Sequence, residues 1–503
     1  MKLKSFRSLK ELIEMQNVHI FLSFSCFFTI FDSILIRISV SFILLSRFLS
    51  LFFQFDKPIY MTENKYKSYT LNNYKELPQI AELPAEIKEA IDVVGNVLPF
   101  KSNNYVVNEL IDWGNIPSDP MFTLTFPRKE MITKPHYTKV KELLDNNVDS
   151  EVLKSEIYKI RMKLNPNPAG QEHNVPTLNG SKLHGMQHKY RETVLFFPSQ
   201  GQTCHAYCTF CFRWTQFSGM SEFKFAMKEA DLLHRYLEKH TKVTDVLFTG
   251  GDPLTATAKI MGAYIEPLLE KGFEHIQNIR IGSKSLAYWP YRFLTDKDSD
   301  DLLRLFEKVA KAGKHLAFQA HFNHPVELST DAVQEAIGRI LNTGVQIRTQ
   351  SPLLKNINDD AKVWTKMWKE QVRLGLVPYY MFVARDTGAK AFFELPLERV
   401  SEIYRKSYSR VSGIARTVRG PSMSAYPGKV HIVGITEVKG EKVFVLRFLQ
   451  CRNPKLVGIP FFAKFDPKAT WFDQLQPAFG EKEFFFEKDN LLGKTEDDDF
   501  LWE

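Results

Sequence analysis

Short apolar runs rich in β-formers recur along the middle of the chain, separated by stretches with helical periodicity. The runs are residues 193–198, 244–249, 278–282, 315–321, 345–350 and 378–384, and their starts lie 30 to 51 residues apart. That spacing leaves room for one helix between each pair of strands. Between them, residues 225–240, 299–312 and 330–341 carry apolar side chains at three- and four-residue steps, the signature of amphipathic helices. Strand and helix in alternation predict an α/β chain with a parallel sheet and right-handed crossovers. Six such units predict an open (β/α)6 partial barrel, whose chemistry sits at the carboxyl ends of the strands.

The flanks read differently. Residues 61–190 are mixed and polar, with helical stretches at 86–97 and 137–144 and a turn-rich connector at 115–120. From 401 onward come a basic helix-like stretch (402–410), the turn pairs Gly420-Pro421 and Pro427-Gly428, β-like runs at 430–435 and 442–448, and an acidic tail at 496–499. The expected organisation is a helical N-terminal region (61–190), the partial barrel (191–400) and a small C-terminal α+β region (401–503). Residues 1–60 are apolar, but Asp32, Arg37 and Arg47 interrupt them. A membrane span wants about 20 uninterrupted apolar residues, and no small-residue cleavage site for a signal peptide is present. These residues are read either as sequence upstream of a start at Met61 or as a membrane anchor.

Composition narrows the function classes. With 503 residues, 44% hydrophobic and 25% charged, the chain is ordinary for a globular protein of two or three domains. A net charge of +8 over that length is mild, and no basic tract with interleaved aromatics points to nucleic acid. The five cysteines are unevenly placed: Cys204, Cys208 and Cys211 share one eight-residue window, while Cys26 and Cys451 stand apart. So few other thiols argue for a reducing cytosol rather than a disulfide framework.

A C-x3-C-x2-C spacing can give each of three irons of a cubane cluster one thiolate. The fourth iron is then open to a small molecule that chelates it and accepts an electron. Zinc is the blander reading, but it usually takes four protein ligands, and His205 is too close to Cys204 to supply the fourth easily. The cysteines follow the first strand, and Thr249-Gly250-Gly251-Asp252-Pro253 follows the second, so both fall on the predicted catalytic rim.

The spacing resembles that of the radical S-adenosylmethionine (SAM) enzymes. Further motifs resemble the lysine 2,3-aminomutase family within them: His188-Lys189-Tyr190, Phe212-Arg213 after the cysteines, Thr249 to Leu254, Arg280-Ile281-Gly282-Ser283-Lys284, His321-Phe322-Asn323-His324-Pro325, Gln350-Ser351 and Pro378-Tyr379-Tyr380. The resemblance implies an isomerase that moves an amino group from the α- to the β-carbon of an amino acid, using a [4Fe-4S] cluster, SAM and pyridoxal 5'-phosphate (PLP). It implies cluster ligation by Cys204, Cys208 and Cys211, and SAM contacts from Gly250, Gly251, His321 and Gln350. It further implies phosphate contacts from Lys189, Tyr190 and Lys284, a substrate carboxylate held by Arg213, and a Schiff-base lysine at Lys429. The family's glycine-rich stretch before that lysine is reduced here to Gly428.

The lysine enzymes hold the distal ammonium with two aspartates. Here Arg385 aligns with one, with Asp386 a step later, and Ser422 aligns with the other. A cation there repels an ammonium, so free lysine is expected to be a poor substrate and an acidic amino acid a better one. The expected partners are the amino acid substrate and an electron donor such as a flavodoxin or ferredoxin, in the cytoplasm. A homo-oligomer is compatible with the sequence. Two rivals stay open: a radical SAM enzyme without PLP, and a non-catalytic iron–sulfur protein for electron transfer or sensing.

Overall fold

The computed structural model describes residues 65–166, 174–488 and 491–492. Tyr66–Glu503 is the second of the chain's two units. The expectations for residues 1–60 and for the acidic tail lie outside the described residues. Among the described residues no helix is long and apolar enough to cross a membrane.

An eleven-stranded mixed sheet organises the second unit. Its strands are β1 (Met186–Tyr190), β2 (Thr193–Phe196), β3 (Asp245–Phe248), β4 (Asn278–Ser283), β5 (His315–His321), β6 (Gln346–Leu353), β7 (Val377–Val383), β8 (Arg419–Ser424), β9 (Gly428–Val438), β10 (Glu441–Cys451) and β11 (Pro460–Lys464). They lie side by side in chain order. β2 to β8 are parallel; β1 pairs antiparallel with β2, and β9 to β11 continue antiparallel from β8. Parallel neighbours need a crossover, and helices supply it: α4 (Ala230–Lys239), α5 (Ala258–Ile265), α6 (Ser299–Lys311), α7 (Asp331–Leu341), α8 (Ala361–Arg373) and α9 (Leu397–Tyr408). Before the sheet come α1 (Ala85–Val97), α2 (Lys134–Asp145) and α3 (Ser150–Lys163).

The helices form for reasons visible in the sequence. In α6, Leu302, Leu305, Phe306 and Val309 are buried along one stripe, with Asp300 and Asp301 in the first turn and Lys308 and Lys311 in the last, charges that suit the helix dipole. Removing the Phe306 ring would cost about 3–5 kcal/mol. Thr330 caps α7, its hydroxyl accepting from Val333 N at 3.2 Å. By contrast, α4 starts at Ala230, not at 225. Phe225 packs instead on Phe197 at 4.9 Å, and Met227 bridges Pro198 in parallel, which holds this segment extended.

The six β-rich runs are β2 to β7. A further parallel strand, β8, follows them where Gly420-Pro421 reads as a turn. Gly420 has φ 149°, and a Cβ there would lie 2.3 Å from Met381 O. Only glycine allows this approach to β7. The sheet therefore runs unbroken past residue 400, which falls inside α9, and the antiparallel C-terminal strands extend it. β9 turns into β10 through Lys439 (φ 52°) and Gly440 (φ 80°), a two-residue hairpin turn of left-handed residues.

Period-two alternation separates the two faces of the sheet. Val194, Phe196, Val246, Phe248, Ile279 and Ile281 are fully buried, and Phe196 and Phe248 pack on Tyr264 of α5. The alternate positions Thr193, Leu195, Leu247 and Arg280 line a cavity on the other face.

Candidate active site

The cysteine loop leaves the carboxyl end of β2. None of its three thiols is in a disulfide. Burial pushes all three thiols up, Cys208 to about 11 and Cys211 to about 12. Each also has its own cation that favours the thiolate: Lys101 for Cys204, Lys284 for Cys208 and Arg213 for Cys211. Among the described residues no three His, Cys, Asp or Glu side chains converge on a single ion. A cubane takes one thiolate per iron, so it does not need such convergence. Three neighbouring thiols, each with a cation, fit that cluster.

Asp252 ties the strand ends to this loop. Its carboxylate is buried and accepts from Leu254 N at 3.0 Å, Lys284 N at 2.8 Å, and the hydroxyls of Ser283 and Ser285. The Ser285 hydroxyl also lies 3.0 Å from His205 Nδ1, within the cysteine loop. Gly250 and Gly251 press onto the loop's base. A Cβ on Gly250 would meet Gln202 Nε2 at 2.3 Å, and one on Gly251 would meet Thr203 O at 2.5 Å. Gly250 is thus required by its positive φ of 144° and Gly251 by close packing on backbone, whatever else they contact.

His321, the last residue of β5, is the register partner of Gln350, within β6. Phe210 of the cysteine loop lies edge-on to His321 at 5.7 Å. Burial and Lys284 push the imidazole pKa well down, and its Nε2 has no hydrogen-bond partner.

The second centre is the cavity, of about 650 Å³. It gathers Lys189, Tyr190, Arg213, Arg385 and Lys429. The Lys429 ammonium lies 4.1 Å from the centre of the Tyr380 ring and 5.6 Å from that of Phe382. Burial, then Arg280 and Arg419, push its pKa down to about 7. Lys189 Nζ donates to Ala425 O at 2.5 Å; burial, then Arg452, Arg385 and Lys429, bring it also to about 7. Arg213 is buried, its guanidinium 4.3 Å from the centre of the Phe197 ring, and its Nη1 is buried with no partner. Arg385 donates to Ser424 O at 3.0 Å and lies over Phe212 and Trp471.

Two expectations do not hold as drawn. Lys284 does not line this cavity. Its ammonium is buried on the side of the cysteine loop, 2.6 Å from Glu327 and 2.8 Å from Asn323 Oδ1. Ser422 is fully buried and does not line the cavity either, so its hydroxyl is no substitute for a substrate-facing acid. Asp386 and Asp473 do line it, beside Arg385.

No family model matches the chain. A protein of Aquifex aeolicus (strain VF5) named "Putative L-lysine 2,3-aminomutase" is 31% identical over 407 residues, covering 81% of this chain and 95% of that protein. The chain belongs to the lysine 2,3-aminomutase family. The L-lysine 2,3-aminomutase of Methanococcus maripaludis is 24% identical, covering 69% of this chain and 68% of the relative. That of Clostridium subterminale is 26% identical, covering 56% and 64%. Among solved structures, a radical SAM methyltransferase from Sphaerobacter thermophilus aligns with a TM-score of 0.30 at 12% identity, over 46% of this chain and 68% of that one, too slight a likeness to bear on the fold.

Within this member of the aminomutase family, three arginines around Lys429 and Lys189 escaped sequence reasoning. Arg280 holds Asp245 with Nε and Nη2, each at 2.7 Å. Arg419 donates to Tyr379 Oη at 2.8 Å, and Arg452 to Asn174 Oδ1 at 2.6 Å. Alternation along β4 was the available signal for Arg280, since it shares a face with no fully buried neighbour. Arg419 and Arg452 had none, because they reach the site only through the C-terminal strands.

Proposed function

We propose that this chain is a radical SAM, PLP-dependent amino acid 2,3-aminomutase, working on a (β/α)6-type partial barrel that a seventh parallel strand extends. The observation that carries the reading is Arg213: it lines the Lys429 cavity and also stabilises the Cys211 thiolate. A group held by Arg213 therefore lies beside both centres, and hydrogen abstraction needs near-contact geometry.

Cys204, Cys208 and Cys211 would hold a [4Fe-4S] cluster, with SAM against Gly250, Gly251, His321 and Gln350; the unpartnered His321 Nε2 offers SAM a polar contact. A flavodoxin or ferredoxin would supply the electron. Lys429 would hold PLP, because a buried amine brought to about 7 is partly neutral and nucleophilic at physiological pH. Lys189, Tyr190 and Arg452 would face its phosphate, Arg452 as the cation and Tyr190 as a hydroxyl donor, while a bound phosphate would hold the proton on Lys189. When bound, the cluster and SAM supply a hydrogen-abstracting radical and PLP supplies a π-system that carries the migrating nitrogen. Arg213 orients the substrate by its α-carboxylate, and Arg385 faces the distal end.

The test is anaerobic purification, reconstitution with ferrous salt and sulfide, and reduction with dithionite in the presence of SAM, PLP and an amino acid panel. The reading expects an iron–sulfur absorption band, 5′-deoxyadenosine and a β-amino acid. Colourless protein that leaves SAM intact refutes it.

A further inference from the structure

The N-terminal region, to which sequence reasoning gave no role, grips the cysteine loop. Tyr207 N donates to Lys101 O at 2.7 Å, and Thr209 N to Leu124 O at 2.9 Å. Thr209 Oγ1 donates to Thr123 O at 2.7 Å. Tyr66 Oη and Asn103 Nδ2 both donate to His205 O, at 2.7 and 3.2 Å. Inside this clamp the Lys101 ammonium donates to Cys204 O at 2.9 Å and approaches Thr203 Oγ1 at 3.4 Å. It sits between the rings of Tyr66 and Tyr207, 5.7 Å from each centre. The carbonyl of Lys101 itself and the side chain of Asn103, two residues on, are bonded to the loop, so the charge cannot swing away without breaking the clamp.

Three cations surround the cysteines, but they are not equivalent. The charge of Lys284 is cancelled by buried Glu327. Arg213 faces the cavity, where the proposed function gives it the substrate carboxylate. Lys101 has no carboxylate partner in any ion pair of the described residues. Resting on the cluster assignment of the proposed function, we infer that Lys101 is a positioning residue that raises the reduction potential of the cluster and so lets a biological donor deliver its electron. Reduction adds one electron from the donor to the cluster, with no bond made or broken, so one more negative charge arises beside Cys204. A fixed, unpaired cation at that spot favours the reduced form.

The test is an EPR-monitored redox titration, with dithionite as reductant, of anaerobically reconstituted full-length protein. Wild type, Lys101→Gln and Lys101→Arg are compared, with iron and sulfide content measured for each. The Gln variant keeps a hydrogen-bond donor but loses the charge. Its oxidised-to-reduced ratio at fixed potential should rise about tenfold, a midpoint lower by about 59 mV for one electron, at unchanged iron content. The Arg variant should stay near wild type. The inference is overturned if Gln titrates like wild type, or if Arg falls as far as Gln. It is equally overturned if Gln fails to take up iron while Arg does, since Lys101 would then be a structural clamp alone. A wild-type protein with no cluster signal overturns instead the cluster assignment on which the inference rests.

Discussion

The guanidinium of Arg213 stacks 4.3 Å from the centre of the Phe197 ring while its Nη1 stays buried without a hydrogen-bond partner. A buried cation left half-satisfied costs folding free energy. It persists in a cavity whose ligand can complete it. Arg385 adds to the strain by lowering the Arg213 pKa further, after burial, to about 10.

Arg213→Met should therefore separate stability from activity. With the unpaired charge gone, the free energy of unfolding should rise by about 1–3 kcal/mol. The lost charge-assisted hydrogen bonds to the substrate carboxylate should lower kcat/KM about ten- to a hundredfold. A variant that is both destabilised and fully active would contradict this role.

Lys284 and Glu327 make the opposite case, because here both charges are satisfied. Glu327 also accepts from His324 N at 3.0 Å and from Asn323 N. Glu327→Gln strands a buried ammonium and should cost about 3–5 kcal/mol, whereas the double variant Lys284→Met/Glu327→Gln, which keeps an acceptor oxygen for the two amides, should recover most of it. Urea titration of the single and double variants decides the matter; equal losses in both would mean that packing, not charge, holds the pair.

Much of the parallel sheet is legible in the chain, since its strands are short β-rich runs, some apolar throughout and some alternating, between helix-periodic stretches. The clustered cysteines are legible too, because all three lie on one loop. What stayed hidden depends on tertiary approach. β8 is masked by Gly420-Pro421, residues that a strand tolerates only where the neighbouring backbone comes close. The family resemblance, not a local pattern, pairs Lys284 with Lys189 as a phosphate contact. But alternation stops at Ser283, and Lys284 itself turns out of the strand with φ −109° and ψ 3°, which carries its ammonium to Glu327. Arg452 and Asp473 reach the cavity from segments far downstream in the sequence, and no local pattern marks them.

Substrate choice follows from the distal end of the cavity. Arg385 stands there between Phe212 and Trp471, 5.6 and 5.4 Å from the ring centres. Its Nε lies 3.8 Å from Asp386, a loose pairing that leaves guanidinium hydrogens for a ligand. An acidic amino acid should be converted to its β-isomer with a higher kcat/KM than free lysine, and Arg385→Asp should move the ratio toward lysine by at least about tenfold. A panel assayed by mass spectrometry of β-amino products checks this. Efficient turnover of lysine with none of glutamate would refute it and assign the distal contact to Asp386 and Asp473.

Lys429 gives a pH signature independent of turnover. Its proton is held at about 7 in the folded chain against an ordinary value of 10.5. Between those values the unfolded chain binds the extra proton, so the contribution of Lys429 to stability rises with pH. Below about 7 the ammonium is present in both states and the full cost of burying it remains. Lys429→Met removes that cost at every pH. Protein without added PLP should therefore be less stable than the Met variant at pH 7, by on the order of a few kcal/mol, and the gap should close as pH climbs toward 10. Guanidinium denaturation of both proteins at pH 7, 8.5 and 10 measures it. A gap that stays constant across that window would mean that Lys429 keeps its proton in the folded chain, and its amine would then not be the nucleophile the cavity is built around.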